Sequence, residues 1–526
     1  MISAIINRDD VLREIGTERE WDFIVVGGGA TGLGTAVEAA SRGFRTLLLE
    51  AQDFAKATSS RSTKLVHGGV RYLQQGDLKL VLEALRERGR MLRNAPHLAH
   101  RRAFVIPAYS LWELPFYGVG LTAYDLLAGR EAIGRSRILS SRTAIKALPT
   151  VRKEGLKGGI LYYDGQFDDA RYAIALLRTL FDLGGMALNY TRVTGLIKRN
   201  GAVSGIAATE AESGANLVCK AKVVINATGI FSDTLRCLDD PQRKPAVTVS
   251  QGTHLVLPRE FLPGDSAMMI PKTADGRVLF AIPWHDRVVV GTTDDPVPRP
   301  EYDPYAMPKE RKFLIDHIER FLGRRPKENE VRSTWSGQRP LVRQEDAAST
   351  AAISRDHTIL ISPSKLVTIT GGKWTTYRKM AEDVVNRAAP LGGLAAGSSQ
   401  TANLRLHGWT TAPEARNDWE RVYGADLPLL HSLGENAELN QLLHPRLPFR
   451  KAEVVWAVRH EMARTVDDVL SRRTRALFLD AAASIEAAPV VADLIARELG
   501  RDENWQKAQI DLFRNLAQAY LWNDAA

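Results

Sequence analysis

Phe23-Ile24-Val25-Val26-Gly27-Gly28-Gly29-Ala30-Thr31-Gly32 is the stretch whose reading decides the fold. Four consecutive apolar residues predict a buried parallel strand, and the glycines turn it sharply into a helix. Gly27, Gly29 and Gly32 fall on the G-x-G-x-x-G positions. The first makes the turn, the second lets backbone approach a pyrophosphate, and the third lets helix pack on strand. Ala36, Ala40 and Gly43 follow at helical spacing and put small residues on the face toward the sheet. Thr46-Leu47-Leu48-Leu49 predicts a second strand ending at Glu50, a carboxylate suited to a ribose hydroxyl. Glycines alone would mark only a turn. Strand, small-faced helix, second strand and acid in this order specify a dinucleotide site.

The chain has 526 residues, which predicts two or three domains, and its 44% hydrophobic content suits a substantial core. Two cysteines, Cys219 and Cys237, are too few for a disulfide framework or a cysteine metal site, and point to a reducing compartment. Residues 1–21 carry Arg8, Asp9, Asp10 and Arg13 without an apolar signal core, and no window of about eighteen residues is uncharged and apolar. A formal charge of +9 and a pI near 9.4 favour anionic partners: a phosphorylated substrate, an anionic membrane surface or nucleic acid. Because the basic residues are interspersed with acidic ones and no nucleic-acid motif is present, nucleic acid is set aside.

Downstream of Glu50, Ala57-Thr58-Ser59-Ser60-Arg61-Ser62-Thr63-Lys64 offers hydroxyls and backbone N–H groups to phosphate, and runs into Leu65-Val66-His67-Gly68-Gly69-Val70-Arg71-Tyr72-Leu73. The Gly68-Gly69 pair beside His67 and Lys64 favours a site over a plain loop. Residues 78–98 read as an amphipathic helix with Pro96 near its end. The uncharged segment 114–124, followed by Arg130, Arg135 and Arg137, suits either a membrane interface or core packing. Asp168 and Asp169 read as caps of a helix running to Leu183. Residues 222–229 predict a strand returning beside the first glycine loop. From Val247 the pattern changes to alternation, with strands at 250–257, 278–284 and 288–291 and a turn at His285-Asp286: an antiparallel sheet inserted into the dinucleotide unit. Residues 367–378 repeat strand, glycine turn and helix, and a helix N-terminus at Gly371-Gly372 suits a negatively charged ligand edge. Residues 391–402 read as a linker, and 451–479, 489–499 and 505–522 as helices.

Taken together, the Gly27–Gly32 fingerprint with Glu50, the Thr58–Leu73 block, Asn226-Ala227-Thr228-Gly229 and Gly371-Gly372-Lys373-x-Thr375-Thr376-Tyr377-Arg378 resemble the FAD-dependent glycerol-3-phosphate dehydrogenases of the respiratory chain. Ser336-Gly337-x-Arg339-Pro340-Leu341, Arg355-Asp356, Ala457-Val458-Arg459-x-Glu461 and Arg472-Arg473-Thr474-Arg475 extend the resemblance over nearly the whole chain. It implies an α/β (α+β) flavoprotein: a Rossmann-type FAD domain with an inserted antiparallel-sheet substrate domain, of the D-amino-acid-oxidase kind, plus a helical C-terminal cap. The FAD and oxidoreductase region would be residues 1–400, discontinuous, with the substrate sheet mainly within 80–160 and 245–345. Residues 401–526 would form the helical domain.

The resemblance further implies oxidation of sn-glycerol 3-phosphate to dihydroxyacetone phosphate, with electrons passed through FAD to a membrane quinone. The protein would attach peripherally to the inner face of the cytoplasmic membrane, and a homodimer stays open. An oxidase giving its electrons to oxygen is the alternative. Such a reaction needs a base, a phosphate grip and a group that stabilises reduced flavin. His67 is the favoured base, with His254 as the second candidate. Arg339 and Arg355 match the positions that grip substrate, with Arg61 as a weaker third. Lys373 would face the flavin pyrimidine edge, and Lys64 would serve flavin or substrate. The FAD contacts expected are Gly27, Gly29, Ala30, Thr31, Gly32, Glu50, Thr58, Ser59, Ser60, Lys64, His67, Gly68, Val193, Ala227, Thr228, Gly229, Gly371, Gly372, Lys373 and Thr375. The Arg472–Arg475 run reads as a solvated helix face, or as charges that hold helix C-termini, partner chains or lipid headgroups.

Overall fold

The structure is a computed structural model that describes residues 5–17, 19–69, 77–273, 276–343, 356–395, 397–412, 415 and 417–522. Arg355, together with Arg71, Tyr72 and Leu73 of the resemblance, lies outside the described residues.

The apolar run forms the strand Trp21–Val26, in which Phe23, Ile24 and Val25 are fully buried. Each such side chain contributes about 1.5–3 kcal/mol of burial free energy. The strand sits centrally in an eight-stranded sheet, parallel to Thr46–Leu49 on one side and to Asn216–Asn226 on the other. Met186–Leu188 continues the sheet beyond Thr46–Leu49, and Val367–Gly371 continues it parallel beyond Asn216–Asn226. The helix Ala30–Ser41 packs Ala36 and Ala40 inward. Gly43 lies beyond the helix end, in the turn to Thr46, and not on the packed face.

A second sheet of ten strands is built mainly from residues 99–167 and 247–342, with Leu65–Val66 at one edge. Its hairpin Leu279–Trp284/Arg287–Gly291 and the long pairing of Val247–Pro258 with Ser333–Val342 are antiparallel. One junction departs from the expected all-antiparallel pattern: Ala267–Ile270 runs parallel to Ala99–Ala108, pairing Ala267 with Phe104. The two sheets share the segment 57–67, which leaves the nucleotide sheet after Thr46–Leu49 and enters the second sheet at Leu65.

The C-terminal region is helical. The predicted run 451–479 is divided into Lys451–Glu461, a π-helical turn Asp468–Arg473 and Ala476–Leu479, with left-handed backbone at Met462 and Arg475. Ala481–Leu499 and Glu503–Gln518 complete it. The expected linker is tied down near its end: Thr401 is buried, and Thr401 and Ser399 both hydrogen-bond Glu38 of the helix Ala30–Ser41. Among the described residues no helix is long and apolar enough to cross a membrane.

Candidate active site

Gly27 takes φ +110°, and a Cβ there would lie 2.6 Å from the Ala227 carbonyl oxygen, so only glycine makes this turn. A Cβ on Gly32 would come within 1.8 Å of the Gly27 oxygen, which is the close helix-on-strand approach the motif requires. At the helix start the Ala30 N–H donates to Ser59 Oγ at 2.8 Å. Glu50 accepts from the N–H groups of Gly28 (2.6 Å) and Gln52 (2.8 Å), and each oxygen keeps a lone pair for a further donor. Burial, only partly offset by those bonds, raises the Glu50 pKa.

These residues open onto a cavity of about 440 Å³. Gly27, Gly29, Ala30, Thr31 and Glu50 form one wall, continued by Val193 and by Ala227, Thr228 and Gly229 at the end of the neighbouring strand. Thr58, Ser59 and His67 line it from the crossover segment, and Gly371, Gly372, Lys373 and Thr375 from the second glycine turn. That turn is wedged by Trp374, whose indole N–H donates to the Ser59 carbonyl at 2.9 Å and whose ring meets Phe167, Tyr172 and Tyr377 edge-on. The His67 backbone N–H donates to Thr375 Oγ1 at 3.3 Å, joining the two loops.

The second sheet supplies the opposite wall. Arg339, on Ser333–Val342, reaches Asp294 (3.2 Å), Thr292 Oγ1 (3.4 Å) and the Thr293 carbonyl (3.4 Å); its side chain is 25% exposed. These bonds lie at or beyond the long end of the N–H···O range. His254 is stacked on Trp335 with ring centroids 3.9 Å apart, and its Nε2 lies 3.0 Å from Thr63 Oγ1. Burial first, then the charges of Lys64 and Arg339, push its pKa well below the usual histidine range, so the ring is neutral. Its buried Nδ1 has no hydrogen-bond partner among the described residues.

Four expected cofactor contacts do not line this cavity. Lys64 is fully buried, and its ammonium is bound by both Asp169 oxygens and the Ser60 carbonyl, beside the Trp335 and Phe478 rings. Through these bonds it ties the crossover segment to Asp169. Ser60 acts through that carbonyl, which also accepts from Arg475. Gly68 lies behind Leu85 and Tyr124, its N–H donating to the Tyr124 hydroxyl at 2.8 Å. Gly32 packs helix on strand. Asp169 is correspondingly not a simple cap, a role that Asp168 fills by accepting from the Arg171 N–H. Arg61 touches the cavity but is engaged by Asp303 (2.6 Å) and the Ser336 carbonyl (3.1 Å).

Of the readings of the arginine run, the structure keeps the one in which it holds a helix C-terminus: Arg473 donates to the Glu461 carbonyl at 2.7 Å, at the end of Lys451–Glu461. Arg472, Arg473 and Arg475 are at most 2% exposed, so they are neither a solvated face nor open to lipid or a partner. Arg473 and Arg472 share Asp53 just after the second nucleotide strand, and Arg475 reaches Asp169 at 3.0 Å. Burial pushes Asp53 up, but the two guanidiniums outweigh it and hold the carboxyl below its ordinary range. Cavity residues without a sequence signal are Arg192, Phe231, Thr292, Tyr302 and Gln338, brought in by tertiary packing.

The donor set fits FAD. Two glycine turns face one cavity, one with a carboxylate at the end of the adjoining strand and the other with a lysine, a set that suits a dinucleotide carrying an electron-accepting ring. The profile of the family described as FAD dependent oxidoreductase matches residues 22–378, and that of the C-terminal domain of alpha-glycerophosphate oxidase matches residues 363–507. The mitochondrial glycerol-3-phosphate dehydrogenases of Macaca fascicularis and Homo sapiens are each 38% identical, over 97% and 98% of this chain and 75% and 76% of their own length. The glycerol-3-phosphate dehydrogenase of Bacillus halodurans, solved in complex with FAD, superposes with a TM-score of 0.80 at 27% identity, covering 99% of this chain and 98% of its own. On the glycine cradle, the second sheet and these relatives together, the chain belongs to the FAD-dependent oxidoreductases and, within them, to the glycerol-3-phosphate dehydrogenase family, with FAD as its cofactor.

Proposed function

We propose that the protein oxidises sn-glycerol 3-phosphate to dihydroxyacetone phosphate and passes the electrons to a membrane quinone. The observation that carries this reading is that Arg339, His254 and His67 face the same cavity as both glycine turns. FAD, when bound, supplies N5 as acceptor of the hydride leaving the substrate carbon. Arg339 exchanges its long bonds to Thr292 and Thr293 for the substrate phosphate, which a planar guanidinium meets with paired hydrogen bonds. Arg355 is assigned to the same phosphate on its Arg-Asp motif alone. His67, half-buried on the cavity wall, takes the hydroxyl proton. His254, kept neutral and held by Thr63, orients the substrate. Lys373 stabilises negative charge at the reduced cofactor's edge.

The membrane side of the reading is supported by the helix Glu113–Ala128. Leu111, Trp112, Phe116, Val119 and Leu126 are 52–77% exposed on and before it, and Arg130, Arg135 and Arg137 follow. Apolar side chains flanked by arginines suit an interface with anionic lipid, here the inner face of the cytoplasmic membrane.

The deciding experiment is anaerobic addition of glycerol 3-phosphate to the holoenzyme. Flavin bleaching, with reoxidation by a soluble quinone faster than by air, is expected; faster reoxidation by air would make the protein an oxidase, and no bleaching would refute the substrate. In the same assay His67→Ala is expected to slow flavin reduction on the order of a hundredfold. An unimpaired His67→Ala with an impaired His254→Ala would transfer the base to His254.

A further inference from the structure

The cavity is bridged by a segment that belongs to neither glycine turn. Residues 299–306 join the strand Asp295–Val297 of the second sheet to the helix Pro308–Leu322 without regular structure. On the side of the second sheet the segment is fixed by the Glu301 N–H donating to Gln338 Oε1 (2.8 Å), and by the Tyr305 carbonyl accepting from Gln251 Nε2 (2.9 Å). Its tip reaches across to the nucleotide domain. There the Asp303 carboxylate pairs with Arg61 (2.6 Å) and Lys56 (3.0 Å), and Tyr302 stacks on Phe231 with centroids 4.3 Å apart and planes 29° from parallel.

Tyr302 lines the cavity near Glu50 and Arg192. Burial and the Glu50 charge raise its phenol pKa, while Arg192 hydrogen-bonds it. Glu50 ends the second nucleotide strand, the position from which a carboxylate meets the ribose of the adenosine half of a dinucleotide. Phe231 follows Gly229 on the neighbouring strand's exit turn, so the aromatic pair stands between two loops that cradle the cofactor.

We propose that residues 299–306 form a strap that retains FAD, with Tyr302 stacked on Phe231 closing the adenosine end of the cavity and the Asp303 ion pairs keeping the strap shut. FAD release then requires the aromatic pair to part and Asp303 to leave Lys56 and Arg61. This contribution acts on cofactor residence time and is separate from the choice of substrate or electron acceptor.

The test is the rate of FAD loss from dilute holoenzyme, read as the ratio of flavin to protein absorbance after desalting at timed intervals. Tyr302→Ala is expected to release FAD about tenfold faster, the effect of removing one stacked aromatic with its buried area. Tyr302→Phe, which keeps the stack, is expected to stay within about threefold of the parent. Asp303→Asn, which keeps the ring and loosens the anchor, is expected to accelerate release severalfold. Folding of each variant is checked by circular dichroism, and if Tyr302→Ala fails to fold, Asp303→Asn decides. Release from a folded Tyr302→Ala no faster than from the parent, or from Asp303→Asn in its place, overturns the proposal.

Discussion

Two arginine–aspartate clusters differ in burial and in bond length. At Asp53, Arg472 and Arg473 are sealed: no side chain is more than 1% exposed, and the carboxylate is saturated by both guanidiniums. At Asp294, Arg339 is a quarter exposed to the cavity and its bonds are 3.2–3.4 Å long. The first cluster fastens the C-terminal helices to the nucleotide sheet. The second places a guanidinium on the cavity wall. Burial, not residue type, separates the structural arginines from the one proposed to meet substrate.

Breaking the sealed cluster has the largest expected effect. Asp53→Ala leaves two buried guanidiniums short of a counter-charge and is expected to cost about 3–5 kcal/mol in urea unfolding. A midpoint unchanged from the parent would remove the cluster from the set of structural fastenings. Breaking the open cluster is expected to act on binding instead. Arg339→Ala should lower kcat/KM for glycerol 3-phosphate about tenfold to hundredfold, the value of hydrogen bonds to a charged group. Its urea midpoint should stay within about 1 kcal/mol of the parent. A large loss of stability with unchanged kinetics would invert the comparison.

The smallest effect tests an intermediate case. His407 bridges Asp182 of the nucleotide domain (2.6 Å) and Asp426 (2.8 Å), with its side chain 13% exposed. Burial lowers its pKa, but the hydrogen bonds to the two carboxylates outweigh this and raise it above 6.5. The folded state therefore holds the proton more tightly than the unfolded one. The added stability is fully present below about pH 6.5 and is lost as pH rises through the raised value. His407→Gln is expected to lose about 1 kcal/mol at about pH 5.5 and little at about pH 8.5, measured by urea midpoints. A loss independent of pH would assign His407 a packing role only.

The same contrast explains what could be read in advance. Gly27, Gly32, Glu50 and the Gly371-Gly372 turn were legible because each answers a local demand, a turn, a close approach or a strand end. The partnership of the arginine run with Asp53 was not, because nothing in Arg472-Arg473-Thr474-Arg475 records that Asp53, some 420 positions earlier, lies beside it. The partner of Lys64 was hidden for a related reason. The lysine's place between hydroxyl-rich loop and Gly68-Gly69 suggested a ligand, whereas Asp169 on a separate helix binds its ammonium. Tyr302 had no signal, since its partners Phe231 and Arg192 come from other elements.

By itself, then, the sequence determined the nucleotide half, the presence of a second sheet and the chemistry expected of the cavity, because backbone periodicity and glycine turns are short-range requirements. Only the tertiary structure decided which charges are sealed in ion pairs between elements and which face the cavity. That distinction depends on burial and on partners far apart in the chain, and both exist only once the sheets and C-terminal helices have packed.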